Sequence, residues 1–213
     1  MRVKPVDIEE FLSKADPVLG RAIKILVPLV GKLRIPVTKL TPFEALVRAI
    51  VYQQLATKAA ESIHKKLQQA VKGRLTPTKL RALTPEQLRA VGLSQGKAKY
   101  VHNVAEWFTA NRKIVKQLPT LSNDEVIAAL TGISGIGVWT AHMFLIFNLG
   151  RLDVVPASDL GIQNGARIVY GLKTKASPAV VQRKAVKWQP YSSIASLYLW
   201  QSVRHKLTAA DLR

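Results

Sequence analysis

The chain has 213 residues, of which 48% are hydrophobic and 21% charged, a composition typical of a globular protein with a substantial core. Its 32 lysines and arginines outnumber 13 aspartates and glutamates, which gives a formal net charge of +19. Such an excess destabilises the compact state by self-repulsion, so it favours a polyanionic partner, with a membrane surface or the ribosome as alternatives. The lack of cysteine excludes disulfides, thiol nucleophiles and cysteine-ligated zinc or iron–sulfur sites.

The first residues, MRVKPVDIEEF, carry acids where a secretory signal peptide needs an apolar core. No apolar run approaches the length that spans a membrane. The sequence therefore predicts a soluble intracellular protein.

Helix-start signals recur along the chain, each a capping side chain directly before a proline that suits the first helical turn. Between these signals the apolar residues follow helical spacing. Strand-like alternation is nearly absent, because the best candidate, residues 152–156, is too short to found a sheet. We therefore predict an all-α fold of about ten short helices. The capping pairs are Asp16-Pro17, Thr41-Pro42, Thr76-Pro77, Thr84-Pro85 and Ser177-Pro178.

Near residue 52 a predicted helix runs into the paired glutamines Gln53 and Gln54, followed by Leu55, and then restarts. One interpretation is a helix whose polar face happens to carry the glutamines. The other is a loop that inserts a side chain into a stack of bases. Composition alone favours the first.

The segment GLSQGKAKY, residues 92–100, is typical of a helix C-cap glycine, a turn and the basic start of another helix. Lys97, Lys99 and the unpaired backbone amides there would suit a phosphate group. A solvated surface turn is an equally good interpretation.

Residues 130–144, LTGISGIGVWTAHMF, predict a glycine-rich hairpin between two helices. Gly135 and Gly137 permit a tight turn with exposed amides, and Ala141 is small enough to let the second helix approach the first. Amides at a helix N-terminus favour a phosphate, whatever the nucleotide sequence. The alternative is an ordinary glycine-rich turn, but the net charge favours the phosphate interpretation.

Asp159 follows Pro156 at the predicted start of another helix, where the helix dipole favours its ionised form. An aspartate at such a position, taken alone, is more often a helix cap than a catalytic residue. Ser158 is an alternative cap.

The hairpin, followed by Val155-Pro156-Ala157-Ser158-Asp159 and preceded by the paired glutamines, resembles the helix-hairpin-helix DNA glycosylase superfamily. The chain is most similar to its alkylation-repair branch, 3-methyladenine DNA glycosylase II, from about Phe43 to Trp200. The resemblance implies a compact two-lobed array of helices with a DNA-binding cleft between the lobes. We divide these lobes into residues 36–125 and residues 1–35 plus 126–213.

The resemblance also implies base excision repair, in which a damaged nucleotide is flipped from double-stranded DNA and its N-glycosidic bond is hydrolysed. The expected substrates are alkylated purines of the 3-methyladenine and 7-methylguanine type. Asp159 would be the catalytic carboxylate that stabilises positive charge on the sugar. Electron-rich aromatic rings would bind the cationic base. The base pocket would consist of Trp139, Trp200, Tyr52 and Met143. Gln54, Leu55 or Gln53 would fill the gap that the flipped nucleotide leaves in the duplex. The DNA phosphates would be bound by Gly132, Gly135, Gly137, Thr140, Lys97 and Lys99.

Branches of the superfamily that also cut the backbone carry a nucleophilic lysine at the end of the hairpin, where this chain has Trp139. The resemblance therefore implies a monofunctional enzyme, which acts as a monomer without an obligatory cofactor. The hairpin would bind Na⁺ or K⁺ through the backbone carbonyls of Thr131, Ile133 and Ile136. The expected location is the nucleoid of a bacterial cytoplasm or a eukaryotic nucleus. A non-catalytic binder of damaged DNA, or a lyase acting on oxidised bases or mismatches, is the alternative.

Overall fold

The structure, a computed structural model, describes residues 6–212 as thirteen α-helices and one short 3₁₀ helix, with no strand in that range. The all-α prediction is confirmed. Helices outnumber the predicted ten because α5, α6 and α8 have only five or six residues each. The segment MRVKPVDIEEF was compared above with a signal peptide, and its first five residues lie outside the described range. Among the described helices, none combines the length and apolarity needed to cross a membrane.

The helices are numbered in chain order, and the 3₁₀ helix precedes α13. They are α1 (Ile8–Ala15), α2 (Pro17–Val30), α3 (Pro42–Tyr52), α4 (Thr57–Ala70), α5 (Pro77–Arg81), α6 (Pro85–Ala90), α7 (Gln95–Ala110), α8 (Arg112–Gln117), α9 (Asn123–Thr131), α10 (Val138–Phe147), α11 (Leu160–Val169), α12 (Pro178–Ala185), the 3₁₀ helix (Val186–Trp188) and α13 (Ser192–Arg204).

All five predicted capping pairs begin helices, namely α2, α3, α5, α6 and α12, with the proline as the first helical residue. In each pair the capping oxygen accepts a hydrogen bond from a first-turn amide. These boundaries are therefore set by local chemistry, since a cap needs only the backbone within three residues of it.

The chain forms two units, which we call the terminal unit, up to Pro36 and from Gly150 onward, and the central unit, Val37–Leu149. The sequence division placed the hairpin and α10 with Asp159, whereas the structure places them in the central unit. The reason is packing: α10 buries Ala141, Phe144, Leu145 and Ile146 and contacts α3 and α9. Its end is also tied to the start of the central unit, because Asn148 Nδ2 donates to the Leu40 carbonyl at 2.9 Å.

In the terminal unit, α11 packs against α13, and α2 packs against α13 as well. The close approach of α11 requires Gly165, because a Cβ atom there would lie 2.4 Å from the Leu199 carbonyl oxygen. Trp188 is fully buried in the core of this unit.

A buried carboxylate also fixes α11. Asp16, only 2% exposed, caps α2 and accepts hydrogen bonds from the Tyr170 hydroxyl at 2.6 Å and from Trp188 Nε1 at 3.2 Å. Burial, reinforced by the Asp16 carboxylate, raises the pKa of Tyr170 well above its usual value, so its hydroxyl stays a donor. Since Tyr170 ends α11, this network sets the orientation of the helix that Asp159 begins.

Candidate active site

Asp159 lies in the terminal unit at the start of α11. Its Oδ1 atom accepts hydrogen bonds from the Ile162 amide at 2.9 Å and from Trp200 Nε1 at 2.8 Å. Ser158 is exposed, and the residue that caps α11 is Asp159 itself. The two interpretations of Asp159 are therefore compatible, because the hydrogen bond that caps α11 also fixes the carboxylate in place.

Gly161 makes the contact between Asp159 and Trp200 possible. A Cβ atom at this position would lie 2.7 Å from Trp200 Cδ1, 2.9 Å from Trp200 Nε1 and 3.0 Å from Asp159 Oδ1. We did not identify this residue from the sequence. The signal was present, however, since Gly161 and Gly165 are four residues apart and therefore share one face of α11, a pattern that indicates close approach of another segment.

Trp139 lies in the central unit, in the first turn of α10, and it is 43% exposed. Met143 follows one turn later and is half-buried. That Trp139, Met143 and Trp200 contact the extruded base stays a prediction.

Tyr52 ends α3, and the guanidinium carbon of Arg48 lies 4.2 Å from the centre of its ring. One face of this ring is thus covered by a cation. A second cation, such as an alkylated base, would be repelled there. Only the opposite face of Tyr52 could therefore meet a cationic base, and that contact stays a prediction.

The paired glutamines form a turn between α3 and α4. Gln54 has a φ of 55°, which is rare for a residue other than glycine, and both Gln54 and Leu55 are exposed. In contrast, Gln53 turns toward the hairpin and its Nε2 donates to the Gly135 carbonyl at 3.3 Å. Gln53 therefore ties the turn to the hairpin in this structure, whereas Gln54 and Leu55 are exposed; which of the three enters the duplex stays a prediction. Strained backbone of this kind is often found at functional positions.

Lys97, one of the expected phosphate contacts, is bound to backbone carbonyls in the structure, and its contact with phosphate stays a prediction. Its ammonium donates to the carbonyls of Val51 at 2.8 Å and Gln53 at 2.6 Å, at the C-terminal end of α3. The last carbonyls of a helix lack helical partners and carry partial negative charge, so they bind a cation. Burial lowers the pKa of Lys97. Lys99 is exposed, and its phosphate contact stays a prediction.

Two of the residues expected to bind phosphate through the hairpin are otherwise engaged. The Gly132 amide donates to the Ala128 carbonyl at 3.3 Å, because Gly132 is the C-cap of α9. Thr140 is only 4% exposed, so its hydroxyl lies inside the protein and its backbone is the part left for such a contact. The Gly132 amide and the Thr140 side chain therefore do not face a phosphate in this structure, because the first terminates α9 and the second packs in the core.

Gly135 and Gly137 differ in what they require. Gly135 has a φ of 100°, and a Cβ atom there would lie 2.4 Å from Cγ of Tyr100, so its small size is needed inside the protein. Gly137 is the N-cap residue of α10 and has no side chain to bond the first-turn amides. A Cβ atom there would meet nothing within 4 Å. The space at Gly137 faces outward at a helix N-terminus, where an anion is favoured.

For a metal ion, the described residues offer no group of three or more histidine, aspartate or glutamate side chains. The carbonyl ligands expected from Thr131, Ile133 and Ile136 are of a different kind. In the structure the Ile133 carbonyl already accepts the Ile136 amide at 2.9 Å. A carbonyl oxygen has a second lone pair, so this hydrogen bond is compatible with a cation.

The glycine hairpin and the helix-capping aspartate, set in an all-α fold, are explained by common ancestry. The chain belongs to the HhH-GPD superfamily of base excision DNA repair proteins, whose sequence pattern matches residues 47–190.

Within this superfamily the chain is 38% identical over 184 residues to DNA-3-methyladenine glycosylase 1 of Schizosaccharomyces pombe, covering 84% of this chain and 81% of the relative. The crystal structure of DNA-3-methyladenine glycosidase from Bacillus halodurans superimposes with a TM-score of 0.87 at 34% identity, covering 100% of this chain and 99% of the other. The S. pombe 3-methyladenine DNA glycosylase in complex with abasic DNA gives a TM-score of 0.79 at 34% identity, covering 93% and 97%.

Proposed function

We propose that this protein is a DNA glycosylase of base excision repair that hydrolyses the N-glycosidic bond of alkylated purines and leaves an abasic site. The observation that carries the proposal is the carboxylate of Asp159, fixed by the Ile162 amide and the Trp200 indole. The relatives named above as 3-methyladenine glycosylases support the same substrate class.

The chemistry needs a fixed negative charge more than a proton donor. As the base leaves with the bonding electrons, positive charge develops on the sugar, and a preorganised carboxylate stabilises it. Water then adds to the anomeric carbon and loses a proton, with Asp159 positioned to orient it. An alkylated purine that carries positive charge leaves readily, and we propose that the electron-rich rings of Trp139 and Trp200 attract such a cation.

Before this step the nucleotide must leave the duplex. We propose that Gln54 or Leu55 fills the gap, since both side chains are exposed on a strained turn. The hairpin amides at Gly135, Gly137 and Thr140 hold a phosphate without reading sequence.

Trp139 stands where lyase branches of the superfamily carry a lysine, so we propose hydrolysis without strand cleavage. We further propose that the protein acts as a monomer on double-stranded DNA, in the nucleoid or nucleus. A Na⁺ or K⁺ ion bound by the carbonyls of Thr131, Ile133 and Ile136 would stiffen the hairpin.

The test of this function is release of free bases from DNA treated with a methylating agent. The expected result is free 3-methyladenine and 7-methylguanine, with no adduct trapped by borohydride. A borohydride-trapped adduct would show a lyase instead. Tight binding to an abasic-site duplex without any base release would show a non-catalytic binder.

Replacing Trp200 with phenylalanine keeps an aromatic ring but removes the N–H that donates to Asp159. We expect single-turnover base release to fall by roughly tenfold, the typical effect of losing a hydrogen bond to a charged group. Affinity for an abasic-site duplex should change little. Trp107→Phe, in a half-buried position of the central unit, is the control. Equal loss of release and binding would count against the assigned role of Trp200.

Gly137→Asp should fold normally, because the added Cβ atom meets nothing within 4 Å and aspartate is a good helix N-cap. Its negative charge lies where we expect a phosphate, so binding to every DNA duplex should weaken. Losing one phosphate contact should lower the slope of log K against log salt concentration by about one. Gly137→Asn is the matched neutral variant. A weakening confined to damaged DNA would contradict this prediction.

A further inference from the structure

Three residues of α7, each three positions apart, contact the two segments that we propose to grip DNA. Lys97 donates to carbonyls at the start of the 53–55 turn, and Tyr100 packs on Gly135. Asn103 Nδ2 donates to the Ser134 carbonyl at 3.4 Å. Successive members of this set are neighbours on the surface of α7, so this helix lies along both the turn and the hairpin.

Lys97 is the part of this support that meets the turn. Its ammonium bonds two carbonyls, those of Val51 and Gln53, which lie at the end of α3 and have no helical donor of their own. A charged donor shared by two carbonyls fixes both positions more strongly than a neutral contact does. The conformation of residue 53, and with it the start of the turn, therefore depends on Lys97.

Gln53 completes the connection to the hairpin. Its backbone carbonyl accepts from Lys97, while its side-chain amide donates to the Gly135 carbonyl at 3.3 Å. The next residue, Gln54, holds a φ of 55°. A strained residue keeps such a conformation only when the surrounding structure enforces it. The fixed position of Gln53 provides this constraint for Gln54, because the two residues are adjacent in the chain.

We propose that Lys97 and Gln53 are positioning residues that brace the Gln54–Leu55 turn against the hairpin. The segment that enters the base stack and the segment that holds the phosphate then act as one rigid body. Base extrusion thus depends on a lysine that contacts no DNA. This inference rests on the function proposed above.

The experiment compares Lys97→Met with Lys99→Met, since both variants lose one positive charge from the same helix. The probe is a duplex with an abasic-site analogue beside 2-aminopurine, whose fluorescence rises when an inserted side chain disturbs its stacking. At saturation, Lys97→Met should give a much smaller fluorescence change, with an unchanged salt dependence of binding. Lys99→Met should give the full change, with a salt slope lower by about one. Single-turnover release from methylated DNA should fall about tenfold in Lys97→Met, with little change in the half-saturating DNA concentration.

Three further variants separate positioning from general destabilisation. Lys97→Arg keeps a cationic donor and should restore most of the fluorescence change. In a Gln54→Ala/Leu55→Ala background, Lys97→Met should lower base release by less than about twofold, because coupled residues are not additive. Should Lys97→Met fail to fold in a thermal melt, Gln53→Ala breaks the link to Gly135 while leaving Lys97 intact, and it should show the same loss of fluorescence change.

A salt slope reduced equally in Lys97→Met and Lys99→Met would overturn the proposal and make Lys97 a phosphate contact. Additive effects of Lys97→Met and the turn variant would overturn it too. If the wild type frees no base yet the fluorescence contrast holds, the brace stands and the proposed function fails. If the wild type frees base and the contrast is absent, the function stands and the brace fails.

Discussion

Asp159→Asn is expected to lower the rate of base release by roughly 10²–10³-fold, comparable to the loss of one preorganised charge-stabilising group in other enzymes. Asparagine is as good an N-cap as aspartate, and its oxygen can still accept from the Ile162 amide and the Trp200 indole. The fold should therefore persist while the negative charge that we propose to stabilise the sugar cation is gone.

The measurement for Asp159→Asn is single-turnover release of 3-methyladenine and 7-methylguanine from methylated DNA, together with thermal unfolding. Asp124→Asn, an exposed carboxylate in the first turn of α9, controls for the change in net charge. Release by Asp159→Asn at the wild-type rate would remove Asp159 from the chemistry and leave it a helix cap alone.

Gly165→Ala is expected to have the largest effect on stability. The added Cβ atom would lie 2.4 Å from the carbonyl oxygen and 2.8 Å from the carbonyl carbon of Leu199, and backbone atoms cannot move aside as a flexible side chain can. Helices α11 and α13 must separate, so the free energy of unfolding should fall by about 1–3 kcal/mol.

Urea denaturation of Gly165→Ala measures this loss. Gly96→Ala is the matched control, because Gly96 lies in α7 and a Cβ atom there meets nothing within 4 Å. Alanine is the better helix former by about 1 kcal/mol, so the control should be at least as stable as the wild type. Equal stability of the two variants would show that α11 and α13 do not need their close approach.

We expect base extrusion and base release to depend on different parts of the structure. The turn and the hairpin are joined within the central unit by Lys97 and Gln53, whereas Asp159 and Trp200 are joined within the terminal unit. Variants in the first set should change how often a nucleotide leaves the duplex, and variants in the second should change how fast its bond breaks. Comparing fluorescence with base release distinguishes the two.

Local signals were sufficient for the helix boundaries and for part of the site. The capping pairs at Asp16, Thr41 and Ser177 begin helices as predicted, because the interaction spans three residues of sequence. Gly135 needs its glycine, and Asp159 begins a helix as expected. The hairpin and the spaced aspartate also identified the superfamily.

The sequence by itself therefore determined the all-α class, most helix starts, the charge that favours DNA and the superfamily. Tertiary structure decided that Lys97 donates to carbonyls at the end of α3, that Gln53 ties the turn to Gly135, and that Trp200 holds Asp159. The reason is distance along the chain: these partners are 41 to 82 residues apart, and which side chains meet depends on how whole helices pack. A helix cap is decided by its neighbours in sequence, whereas the partner of a lysine or a tryptophan is decided by the fold.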